Sequence, residues 1–101
     1  MSWTKVASLS KLAPGTAIEV IVDRKPYAIC HVDGEIRALE GVCIHRGGPL
    51  GQGTIHEGRI VCPFHMWEFD CRTGEYDYDP NLRLATYPVK VEGDDIWIEV
   101  P

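Results

Sequence analysis

Two short segments constrain this chain more than anything else in it: Cys43-Ile44-His45 and Cys62-Pro63-Phe64-His65. Each places one thiolate and one imidazole within four residues, and residues 46 to 61 separate the pairs. Two Cys and two His form a complete ligand set for a transition-metal site, so the fold must bring two distant loops together. The mixed order, Cys then His in both halves, suggests a [2Fe–2S] cluster with both thiolates on one iron and both imidazoles on the other. A structural zinc site has the same stoichiometry but more often uses like pairs, and Cys-x-His is a tight pair for zinc.

The 101 residues provide for one domain, residues 1–101, that buries roughly 60–70% of its unfolded surface. No apolar run approaches the roughly 18–20 residues needed to span a bilayer, and the N-terminus does not read as a signal peptide. A cytoplasmic protein is expected. The net charge of −5 argues against a nucleic-acid partner and suits docking on a basic protein face. Four cysteines could form two disulfides, but nothing points to an oxidising compartment and two of them sit in the ligand pairs. Cys30, in an apolar strand-like run, reads as an inert buried thiol. Cys71 is also not expected to be a ligand, because the set is complete without it.

Short strands and many turns predict an all-β fold without an amphipathic helix. Strands are expected at 16–22, 27–32, 35–39, 59–61, 67–71, 87–92 and 96–100, with a single helical turn at 8–12. Asp23 to Pro26 reads as a turn, Asp33-Gly34 as a two-residue hairpin turn, and Gly93-Asp94-Asp95 as a further hairpin. Both ligand pairs begin where a strand ends, so two loop tips would grip one cluster from opposite sides. The glycine-rich stretch Arg46 to Gly53 can aim backbone N–H groups at the sulfurs of an anionic cluster. Replacing two thiolates by neutral imidazoles also removes negative charge and eases reduction.

Cys-x-His, sixteen residues and Cys-x-x-His, with the glycine-rich loop between, resembles the Rieske [2Fe–2S] motif. The resemblance extends to Trp67-x-Phe69-Asp70 with Thr73-Gly74 and to Tyr87-Pro88-Val89, and so covers almost the whole chain. It implies stacked antiparallel sheets with a small cluster-binding subdomain at about residues 42–70. It further implies one cluster per chain, with Cys43 and Cys62 on one iron and His45 and His65 on the other through Nδ1. The length matches a free-standing Rieske-type ferredoxin, a monomer that passes electrons from a flavin-dependent reductase to a terminal oxygenase and catalyses no bond-making step itself. The close alternative is the small Rieske-like subunit that serves the large subunit of an assimilatory NAD(P)H nitrite reductase. An alternative of another class is a zinc-stabilised interaction module. Compared with the high-potential members of cytochrome bc complexes, Gly48 and Phe64 occupy the positions of the two disulfide cysteines. Trp67 and Phe69 occupy those of the hydroxyl donors. The potential is therefore expected near −150 mV, on the order of the low end of the Rieske range, and nearly flat with pH around neutrality.

His31 and His56 read as ordinary surface or turn histidines, too few for a mononuclear iron site with a substrate pocket. Trp3, Trp67 and Trp97 read as packing residues. Pro49, Phe64 and Met66, apolar residues beside the ligands, either shield the cluster or form a docking patch. Asp77-Tyr78-Asp79 with Pro80 reads as a solvated loop or, by the family resemblance, a third loop over the cluster.

Overall fold

Two-residue turns decide how the strands of this chain pair. Asp23-Arg24, Asp33-Gly34 and Glu57-Gly58 each place two consecutive residues at positive φ, between 50° and 79°. That is the backbone twist that joins antiparallel strands without splaying them. The computed structural model describes residues 2–44, 47–64 and 66–101. In it these turns join β2 (Ala17–Val22) to β3 (Lys25–Val32), β3 to β4 (Glu35–Glu40), and β5 (Thr54–His56) to β6 (Arg59–Val61). The first of these turns is tighter than the expected Asp23–Pro26, because Lys25 and Pro26 already belong to β3.

Three antiparallel sheets result, and no α-helix occurs among the described residues. β1 (Ser2–Ser8), β12 (Asp95–Val100) and β11 (Val89–Glu92) form one sheet in the order β1-β12-β11. The middle sheet, in the order β10-β4-β3-β2, adds the short β10 (Thr86–Tyr87). The third sheet runs β5-β6-β7-β8-β9, with β7 (Glu68–Asp70), β8 (Glu75–Tyr76) and β9 (Asp79–Arg83). The helical turn expected at 8–12 is a 3-10 turn at Leu9–Lys11.

β3 carries two cores. Its residues point alternately to opposite faces, so a strand covered on both sides must be apolar throughout. Tyr27 and Ile29 pack with Leu12, Ala38, Ile96, Ile98 and Val100 on one side. Ala28, Cys30 and Val32 pack with Leu39, Leu50, Ile60, Phe69 and Leu84 on the other. This second core fastens the third sheet, the lobe that holds the ligand loops, onto the middle sheet.

The single expected strand 87–92 is divided, because Pro88 separates β10, in the middle sheet, from β11, in the first. The acidic run is not a long free loop: Asp77-Tyr78 turns directly into β9, with Pro80 tolerated on an edge strand. His31 is not on a turn. It lies within β3, and its Nδ1–H donates to the Leu12 carbonyl at 2.8 Å.

Candidate metal centre

The first ligand loop leaves the middle sheet after β4, and the second leaves the lobe sheet after β6. Each is closed in the same way. The Cys43 N–H donates to the Gly48 carbonyl at 2.9 Å, and the Cys62 N–H donates to the Trp67 carbonyl at 2.8 Å. Both bonds span the first and sixth residues of a loop that opens on a ligand cysteine. The first loop is braced further by Gly47 N–H to the Cys43 carbonyl at 2.8 Å, and by a bridge between Val42 and Pro49. Gly47 adopts φ +71°, a conformation an L side chain resists. In the second loop Met66 adopts φ +60° despite carrying a side chain. A left-handed non-glycine residue at such a place stores strain that the surrounding loop must hold.

These loops bring Cys43 and Cys62 together. Both are essentially inaccessible and belong to one core, and the Phe64 backbone amide and the Cys43 thiol both act on the Cys62 thiol. Burial raises the Cys62 thiol pKa, as does its contact with Cys43, while the Phe64 amide opposes the shift. Two converging sulfurs and an amide aimed at one of them fit the iron that takes two thiolates in a mixed Cys/His cluster. Close approach is built in at Gly48, where a Cβ would lie 2.7 Å from Cys62 Sγ and 3.0 Å from Phe64 Cγ. The two positions that would carry a bridge in high-potential relatives are thus in contact here, without sulfur.

His45 and His65, the expected imidazole ligands, lie outside the described residues. Of the other histidines, His31 is held by Leu12, and His56 is exposed at the end of β5 with Nε2 3.7 Å from Glu57 Oε2. Cys30 and Cys71 are both fully buried in the core between lobe and middle sheet, where the Cys71 thiol is the first cause of a raised Cys30 pKa, ahead of burial.

Tyr76 is a member of the site that the sequence reading missed. Its ring lies against Trp67, and Cys43 is among the groups that raise its pKa, after burial, Tyr78 and Asp77. Its exposure to Cys43 arises from sheet geometry: β8 follows β7, and Phe69 of β7 pairs with Tyr76. Within the two loops, Ile44, Phe64 and Met66 are large apolar side chains left 46%, 49% and 66% exposed.

The sequence matches the Rieske [2Fe–2S] domain family over residues 2–88. The chain belongs to the Rieske [2Fe–2S] family. It is 36% identical to the biphenyl dioxygenase ferredoxin subunit of Pseudomonas sp. (strain KKS102), over 98% of this chain and 93% of that one. Its fold is similar to the ferredoxin of carbazole 1,9a-dioxygenase from Nocardioides aromaticivorans IC177, with TM-score 0.86, 30% identity and 97% of each chain covered. It is similar also to the ferredoxin in a complex of reduced oxygenase and oxidised ferredoxin of carbazole 1,9a-dioxygenase. There the TM-score is 0.83, with 29% identity over 95% of this chain and 91% of that one. As a Rieske-type ferredoxin the chain is an electron-transfer component rather than a catalyst, and its cofactor is a [2Fe–2S] cluster. When bound, that cluster accepts and donates one electron at a time.

Proposed function

We propose that this ferredoxin carries single electrons from a flavin-dependent reductase to the terminal oxygenase of a ring-hydroxylating system. In it Cys43 and Cys62 hold one iron, and His45 and His65 hold the other. The observation that carries the ligand reading is the contact between two buried thiols that come from different sheets, Cys43 after β4 and Cys62 after β6. The cluster-binding subdomain occupies about residues 42–70, and the sheet beneath it runs on to Arg83. Ile44, Phe64 and Met66 form an apolar collar on the partner-facing side. An apolar contact at the tip with an acidic chain behind it suits a brief encounter with a basic protein face. A monomer working in the cytoplasm fits this role. No helix among the described residues is long and apolar enough to cross a membrane. The nitrite reductase reading is the weaker one, since the relatives reported above are ferredoxins of dioxygenase systems.

The test combines spectroscopy with turnover. Purified protein should give the absorption and electron paramagnetic resonance of a mixed-ligand [2Fe–2S] centre and should restore oxygenase turnover when mixed with a reductase and an oxygenase. Cys43→Ala and Cys62→Ala should each abolish assembly, whereas Cys30→Ala and Cys71→Ala should retain iron. Loss of iron in a folded Cys71→Ala variant would refute the ligand assignment, and a fully loaded protein that supports no turnover would refute the partner.

A further inference from the structure

Cys30 and Cys71 lie outside the ligand loops, and the proposed electron-carrier role uses neither. Cys30 projects from the lobe-facing side of β3, and Cys71 follows β7, so the two thiols enter one buried core at the junction of the middle sheet and the lobe. Cys71 also forms part of the wall of a cleft of about 310 Å³, lined beside it by Arg37, Arg72, Thr86 and Tyr87. Arg37 is the β4 neighbour of Cys30 in register, and Arg72 follows Cys71 in the chain. The thiol pair therefore lies behind a polar cleft that carries two guanidinium groups. Only Cys71 reaches that cleft; Cys30 lies one layer deeper.

We infer that Cys30 and Cys71 form a second redox site in this chain, a dithiol that hydroperoxides convert to a disulfide linking the lobe to the middle sheet. Cys71 sulfur attacks the nearer peroxide oxygen and the O–O bond breaks. The departing oxygen takes the thiol proton and, with hydrogen peroxide, leaves as water. Cys71 becomes a sulfenic acid. Cys30 sulfur then displaces the sulfenic oxygen, which leaves as a second water with the Cys30 proton, and the S–S bond forms. The two sulfurs together lose two electrons and the peroxide gains them. The second step is fast because the partner thiol already lies in the same buried core. The first is slow, because solvent does not reach Cys71 in the closed structure. Residues 30 to 71 include all four proposed ligands, so the link would close a loop around the entire metal-binding segment.

The test exposes the full chain, with its cluster, to graded hydrogen peroxide, then denatures it in an alkylating agent and maps the cysteines by mass spectrometry. Cleavage after Arg59, Glu68 and Arg72 separates Cys62 from Cys71. The expected product is a cross-linked peptide joining Cys30 to Cys71, formed while the absorbance of the cluster persists. The oxidised protein should unfold at a temperature higher by on the order of 10 °C, since the link constrains a long loop of the unfolded chain. In Cys30→Ala the cross-link should vanish and Cys71 should accumulate as a sulfenic acid that dimedone traps. In Cys71→Ala, Cys30 should remain a free thiol. Three results would overturn the proposal: Cys30 recovered fully alkylated at doses that bleach the cluster, a cross-link to Cys43 or Cys62 instead, or a Cys30 as quickly oxidised in Cys71→Ala as in the wild-type chain.

Discussion

The ring of Trp67 lies flat on that of Tyr76, with centroids 3.9 Å apart and planes 10° from parallel. Trp67 closes the second ligand loop through its carbonyl, and Tyr76 belongs to the sheet beneath. The stack therefore ties loop to sheet at the place where Cys62 must hold its position. Replacing either ring by Leu should cost about 1–3 kcal/mol, from lost area and lost ring contact. Tyr76→Phe keeps the stack and should behave nearly as wild type. Urea midpoints and iron retained per chain read this out. Equal iron retention in Tyr76→Leu and Tyr76→Phe would show that the stack does not support the loop.

Gly48→Ala should empty the site. Its Cβ would be driven to 2.7 Å from Cys62 Sγ and against the side chain of Phe64, whose backbone amide acts on that same thiol. Most of the iron should be lost on purification. Gly93→Ala provides the contrast. Its Cβ meets nothing within 4 Å but sits at φ +61°, so it should cost about 1 kcal/mol and no iron.

Phe64→Glu and Met66→Glu should slow electron transfer to the oxygenase several-fold with the cluster spectrum nearly unchanged. Both side chains leave about half or more of their surface open to a partner. The wild-type rate should also fall as salt rises, because screening weakens the attraction between an acidic carrier and a basic partner. Wild-type rates in both variants would move the docking face elsewhere.

The protein should lose stability in alkali through a cluster of Lys25, Glu40, Tyr27 and Tyr87 on the middle sheet. Lys25 Nζ donates to the Tyr87 hydroxyl at 3.1 Å and lies 3.5 Å from Glu40; the Tyr87 hydroxyl in turn donates to Glu40. The hydrogen bond to Tyr87 raises the Lys25 pKa, and burial raises that of Tyr27. Both groups thus hold their protons more tightly folded than unfolded. Their contribution is complete below the unfolded values, near 10, and disappears as pH climbs through the folded ones. The denaturation midpoint should therefore fall between about pH 9.5 and 11, and Tyr27→Phe should flatten part of that fall. Lys25 is 44% exposed, so solvent screening keeps its share small. An unchanged slope in Tyr27→Phe would remove Tyr27 from the account.

What was legible in the sequence was local. The spacing of Cys43 and Cys62 from their histidines, the Asp33-Gly34 turn and the apolar run from Tyr27 to Cys30 in β3 all act over a few residues. What was not legible is decided by pairing at a distance. β1 reads as Ser-Trp-Thr-Lys-Val-Ala-Ser, without clear alternation, and becomes a strand because β12, at the other end of the chain, supplies its partners. β9 contains Pro80 and resembles a loop until its place at a sheet edge is known. The burial of Cys30 and Cys71 in one core, and the approach of Tyr76 to Cys43, arise from the way the lobe sits on the middle sheet. No short-range pattern encodes that.

Among the described residues no strand of the lobe sheet pairs with a strand of the middle sheet, yet each sheet leads into one of the two proposed ligand cysteines. Binding the metal therefore does what a hydrogen-bonded ladder would otherwise do, by clasping two independently hydrogen-bonded layers at their tips. Loss of the metal should leave both layers paired internally but joined mainly by the apolar core around Ile60 and Phe69. Insertion of the cluster then becomes the last closure of an almost finished fold, and the hinge it closes lies at the lobe seam.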